Sequence, residues 1–245
     1  MTVADAGRRT SAAAMLAAVA VIFVLRLAPI GRLVLYPLTL FATWVHEMGH
    51  GLTALLVGGQ FHRLQIFADA SGLASTAYPA RGLGAALVPL GGLVAPPLVG
   101  CAILLLARSP RMGRALLYLL MTTILVSLVV WVRTIVGAAL LVPLVAALWL
   151  VTRRLSHGAG LFVVQLLGFA LALDTVNRLD YLFVSSAVIN GVSRPSDIGK
   201  IAEALGFPAL WWGLLVAGFN LACVALCGYL ALRRAAQLVP DAEDA

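Results

Sequence analysis

About seven long apolar runs dominate this chain, and they leave it few ways to fold. Of its 245 residues 62% are hydrophobic and only 11% charged, against about 25% charged in an ordinary soluble domain. The mean hydropathy is +1.02. Water cannot solvate a surface of that composition, so the expected solvent is a lipid bilayer. Backbone groups in lipid must pair internally, which restricts spanning segments to helices or closed barrels. The runs are continuous rather than alternating, which selects helices. The expected fold is an all-α polytopic bundle of about seven transmembrane helices.

About 20 apolar residues cross the hydrocarbon. That length places spans near 11–30, 34–57, 83–107, 114–132, 135–151, 160–187 and 209–232. Residues 1–10 read as a tail, 11–232 as one integral-membrane domain, and 233–245, with Asp241, Glu243 and Asp244, as a disordered tail. Arg8 and Arg9 before the first run have the form of a signal region, but the run continues into the next, which reads as an uncleaved span.

Two stretches are not spans. Around Phe61–Phe67 apolar and polar residues alternate before a turn, the pattern of a short strand or re-entrant hairpin. Farther on, Asn190-Gly191 and Ser193-Arg-Pro-Ser-Asp197 precede a short helix with Ser196 as N-cap and Lys200 and Glu203 on its wet face. The sequence Trp131-Val-Arg133-Thr134 makes a tight turn between two spans.

The net charge of +7 does not point to nucleic acid. The arginines sit in ones to threes between apolar runs, as interface anchors do, and no basic face interleaved with aromatics exists. Cys101, Cys223 and Cys227 lie in apolar runs without the spacing of a zinc ribbon or redox motif.

The second run carries the chemistry: Trp44-Val-His46-Glu47-Met-Gly-His50-Gly51. His46 and His50, four apart on a helix, share a face. Two imidazoles at that spacing can grip one zinc ion with Glu47 beside it as general base. Ionisable groups inside a span are costly and functional by default. A catalytic zinc takes three protein ligands. The candidates for the third are Asp174, then Asp197, then Asp180, with His62, Asp69, His157 and Glu203 behind them. Asp174 ranks first because its depth in its span matches that of His46; its alternative is an ion pair with Arg178, four residues on. His62 and His157 read as interfacial. Gly49 and Gly51 suit close approach of another backbone, and Gly91-Gly92 with Pro96-Pro97 predicts a broken third span.

His46-Glu47-Met48-Gly49-His50-Gly51 resembles the catalytic helix of site-2 protease-type intramembrane zinc metallopeptidases. Gly58-Gly59 with the strand-like Phe61–Phe67 resembles that helix's usual sequel. Arg194-Pro-Ser196-Asp197-Ile198-Gly199 and Trp131–Gly137 are similar to segments of a bacterial branch of peptidase-like membrane proteins. The better-known members carry an Asn-Pro-x-Asp-Gly or Leu-Asp-Gly element at the third ligand; Leu173-Asp174-Thr175 here lacks the glycine. The resemblance implies zinc as cofactor, a bacterial inner-membrane location, and regulated intramembrane proteolysis of a transmembrane protein substrate, with segment 61–67 clamping the unwound substrate by edge pairing. The other functions open to these residues are an inactive scaffold of the same fold and a metal or proton transporter using His46, Glu47 and Asp174 as a pathway.

Overall fold

The computed structural model describes residues 24–25, 31–79, 81–177 and 179–236. The expected first span, 11–30, and the tail beyond 236 lie outside these residues apart from Val24 and Leu25. The long helices are α1 (Gly31–Leu56), α2 (Leu83–Leu106), α3 (Pro110–Val130), α4 (Ile135–Arg154), α5 (His157–Asn177) and α7 (Ala209–Ala236); α6 (Asp197–Leu205) is short. Five of them, α2, α3, α4, α5 and α7, are long and apolar enough to cross a membrane. The 26-residue α1 is long enough too, but carries the polar cluster. The protein is an all-α polytopic membrane bundle with two small hairpins.

Helix α1 ends where Gly58 turns left-handed (φ 79°). The Gly58 N–H then reaches Leu55 O (3.1 Å) and the Gly59 N–H reaches Ala54 O (2.8 Å), closing two otherwise unpaired carbonyls. The chain doubles back as β1 (Gln60–Ile66) and β2 (Gly72–Ala77), an antiparallel pair with an irregularity between Phe61 and Arg63. The extra residue resets the alternation, so that Phe61, Leu64 and Ile66 all face the core. At the tip, the Asp69 carboxylate accepts from the Ser71 N–H (2.9 Å) and hydroxyl (2.6 Å). Those bonds hold the Asp69 carboxyl below its ordinary range. The hairpin lies along α1, with the Tyr36 hydroxyl donating to Ala68 O (2.6 Å) and that of Thr43 to Ala70 O (2.8 Å).

The α3–α4 turn does more than reverse the chain. Leu64 donates to Trp131 O (2.8 Å) and accepts from the Arg133 N–H (3.2 Å), so the turn pairs with the outer edge of β1. The Trp131 ring stacks on Phe61 with centroids 4.8 Å apart, and Thr134 caps α4 through the Gly137 N–H. Beside them Trp44 donates to Ser127 Oγ (3.0 Å), tying α1 to α3 within the main core.

Helix α2 sits centrally, packed on α1, α5, α6 and α7. It runs unbroken through Pro89, Pro96 and Pro97, which corrects the expected break. Each proline removes one helical donor, and neighbouring helices re-satisfy freed carbonyls. The asparagine amide of Asn220 on α7 donates to Leu93 O (3.1 Å), the carbonyl that Pro97 cannot serve.

The expected span 160–187 is also corrected. Helix α5 stops at Asn177, and a 3-10 turn (Asp180–Phe183) leads into β3 (Ser186–Ile189) and β4 (Val192–Pro195). Asn190 (φ 48°) and Gly191 (φ 76°) make the two-residue reversal that a tight hairpin requires.

Candidate metal centre

The site sits where α6, packed on α2 and α7, turns its first residue toward the histidines of α1. Ser196 caps α6 by accepting from the Gly199 N–H (3.0 Å), so the next residue, Asp197, begins the helix and is only 3% exposed. One of its oxygens, Oδ2, lies 3.1 Å from His46 Nε2 and 3.3 Å from His50 Nε2, and the two ring nitrogens are 3.0 Å apart. Among the described residues, His46, His50 and Asp197 form the cluster whose donor atoms could converge on one metal ion.

The spacing provides a fit test. Ligands about 2.0–2.1 Å from a tetrahedral zinc stand roughly 3.3 Å from one another. The three observed separations, 3.0–3.3 Å, match such edges. Two imidazoles and a carboxylate are also the borderline donor set zinc prefers. The residues present fit the ion.

Neighbouring groups fix the cluster. His50 uses its other ring nitrogen on Val88 O (2.9 Å), so α2 sets the plane of that ring. Gly92 lies against the ring: a Cβ there would come within 2.1 Å of His50 Cε1. Gly49 has the same role in reverse, since a Cβ on it would meet Gly91 O at 2.5 Å. Small residues on both helices bring α1 and α2 to this distance. On the far side, the Tyr181 hydroxyl donates to Asp197 Oδ2 (3.1 Å) and the Lys200 ammonium lies 3.1 Å from Asp197 Oδ1.

Burial alone would raise the Asp197 carboxyl, but the His50 charge, bonds from both imidazoles and Lys200 hold it well below the usual carboxylate range. Burial would lower Lys200, but the Asp197 charge outweighs it and holds the ammonium above its ordinary range. Burial and the same carboxylate push the Tyr181 phenol up, so it remains a donor.

Glu47 is 6% exposed. Its Oε2 accepts from the Ala74 N–H of β2 at 2.6 Å, and Gly72 leaves room for it, since a Cβ at that position would sit 2.6 Å from Glu47 Oε1. A cavity of about 600 Å³ opens over His46, Glu47, His50 and Asp197, with β2 along one side and β3 along the other.

The candidate third ligands divide clearly by position. Asp197, ranked second from the sequence, joins the histidines. Asp174, ranked first, is buried (7% exposed) and lines the cavity, but is not among the three converging donors. Matching depth in two spans does not ensure matching direction, whereas an N-capped helix beginning at Asp197 delivers its carboxylate directly. Asp180 lines the same cavity from the 3-10 turn and is exposed. His62 and His157 are exposed, at the hairpin and at the start of α5. Lys200, expected on the wet face of α6, turns instead toward Asp197. The sequence pattern does not mark Tyr181, because nothing in an isolated Asp-Tyr-Leu-Phe shows that it will face a residue sixteen positions on.

Residues 13–227 match the family described as Peptidase M50B-like. That match covers most of the chain, which therefore belongs to this family of membrane metallopeptidases of the site-2 protease type. No curated protein and no solved structure matches it.

Proposed function

We propose that this chain is an intramembrane zinc endopeptidase of a bacterial inner membrane that hydrolyses a peptide bond in or near a transmembrane segment of another protein. The observation that carries the reading is the 3.0–3.3 Å triangle of His46, His50 and Asp197 next to Glu47, beneath a cavity flanked by strand edges.

His46, His50 and Asp197 would hold the zinc. When bound, the ion supplies Lewis acidity toward the scissile carbonyl and lowers the pKa of water to near neutrality. Glu47 takes the proton as a water oxygen bonds to the carbonyl carbon. It then delivers that proton to the amine nitrogen as the carbon–nitrogen bond breaks. The Ala74 N–H fixes one Glu47 oxygen, which orients the carboxylate for both transfers.

A helix hides its carbonyls, so the substrate must be unwound to be cut. The expected clamp, β1, has no edge to offer, because β2 pairs on one side and Trp131–Arg133 on the other. The edge that faces the cavity belongs to β2. Among the described residues β2 pairs only with β1, and Gly72, Leu73, Ala74 and Thr76 line the cavity. An extended substrate segment adds to that edge, within reach of the metal centre.

The test is cleavage of a transmembrane substrate in liposomes by wild type, His46→Ala and Glu47→Gln. The reading requires cleavage by wild type alone, with zinc kept by Glu47→Gln and lost by His46→Ala. Zinc retention without cleavage of any tested substrate favours a scaffold. Zinc or proton flux lost in both variants favours a transporter.

A further inference from the structure

Next to the metal centre, sharing His46, Asp174 and Tyr181 with the large cavity, lies a second hole of about 20 Å³ that reaches Leu93, Pro96 and Asn220. One water needs roughly 10–15 Å³ and two to four polar partners.

Asn220 is 1% exposed. Its amide cannot be turned over. Leu93 O, orphaned by Pro97, accepts only from an N–H, so Nδ2 faces Leu93 (3.1 Å) and Oδ1 must face the other way. Among the described residues nothing donates to Oδ1. A buried acceptor left so costs about 1–3 kcal/mol.

His46 shows the complementary lack. Its Nε2 faces Asp197 and His50, which leaves Nδ1 as its second polar atom. Imidazoles that bind a metal almost always donate that second N–H to an oxygen, which fixes tautomer and ring direction. His50 has Val88 O for the purpose. No group of the described residues is bonded to His46 Nδ1, yet His46 lines the same hole as Asn220.

We infer that the hole is a binding site for one structural water, which accepts from His46 Nδ1 and donates to Asn220 Oδ1, making Asn220 a positioning residue for the metal centre. Asp174 and Tyr181 line the same hole and lie within its polar wall. The prolines of α2 thereby serve the metal site at one remove: Pro97 frees Leu93 O, Leu93 O holds Asn220, and Asn220 holds the water on His46. The inference rests on the zinc reading above.

The experiment measures zinc dissociation constants by chelator competition on purified full-length protein, comparing wild type with Asn220→Leu and Asn220→Asp. Both substitutions lose the bond to Leu93 O; only Asp keeps an acceptor toward the water. Asn220→Leu should weaken zinc about 10–100-fold, the usual effect of removing an outer partner, while Asn220→Asp stays near wild type or binds more tightly. Asn220→Leu within about threefold of wild type overturns the inference, and so does an equal loss in Asn220→Asp, which would assign the effect to Leu93. If Asn220→Leu does not fold, a high-resolution structure of the wild type decides: density for one water between His46 Nδ1 and Asn220 Oδ1 supports the site, and a dry hole refutes it. A wild type that takes up no zinc sinks the metal reading itself, an outcome distinct from zinc uptake indifferent to Asn220.

Discussion

Gly92→Ala should damage the metal centre without touching a ligand. The added methyl would lie 2.1 Å from His50 Cε1 and 2.3 Å from Nε2. Ordinary contact begins near 3.4 Å, so ring and helix must separate by about 1.3 Å. The ring cannot swing freely, because Nδ1 is bonded to Val88 O on that same helix. Moving α2 away instead would open the contact that Gly49 makes with Gly91. Overpacking of this kind costs about 1–3 kcal/mol, and losing the Val88 bond about 1 kcal/mol more. A ligand displaced by an ångström should also weaken zinc by at least about tenfold, comparable to removing an outer partner. The assay is chelator competition for zinc together with thermal unfolding in detergent, with and without zinc. Gly84→Ala is the control: its nearest neighbours would be 3.8 Å away. Gly92→Ala with wild-type zinc affinity would refute the placement of α2 against His50.

Asp197→Ala should abolish stoichiometric zinc binding, whereas Asp174→Ala should keep it, with affinity reduced by no more than about tenfold; metal analysis after gel filtration separates the two carboxylates. Ala74→Pro removes the N–H that holds Glu47 on the cavity-facing edge of β2. Cleavage should fall at least about a hundredfold, the order of a lost general base, while zinc content is unchanged. Removing zinc should lower the unfolding temperature of wild type but not of Asp197→Ala, because a ligand stabilises only the state that binds it. Trp131→Ala strips the stacking partner of Phe61 and the donor to its carbonyl, and should destabilise the protein by about 3–5 kcal/mol in denaturant titration.

The helices were legible because lipid imposes a simple rule on composition, and four-residue histidine spacing on a helix has one geometric meaning. Ser196 was legible as a cap for the same local reason. What escaped was whatever depends on direction rather than position. Asp174 and Asp197 look alike as isolated acids near apolar segments; only the fold-back of the 3-10 turn, β3–β4 and α6 decides which reaches the histidines. The unbroken course of α2 through three prolines is accompanied by a donor from another helix, Asn220 to Leu93 O, that no local rule couples to it. The β3–β4 hairpin did carry a local signal, since Asn190-Gly191 between apolar residues is the strongest short hairpin cue. The end of α5 lacked one, because Leu179 and Leu182 continue the apolar run past Asn177.

The most direct measurement is X-ray absorption at the zinc edge on the purified, full-length protein. The account predicts one zinc per chain, with nitrogen and oxygen ligands at about 2.0–2.1 Å and no sulfur, and a signal that disappears in Asp197→Ala. A protein that binds no zinc, or one whose zinc keeps the same ligand shell after Asp197 is removed, would contradict it.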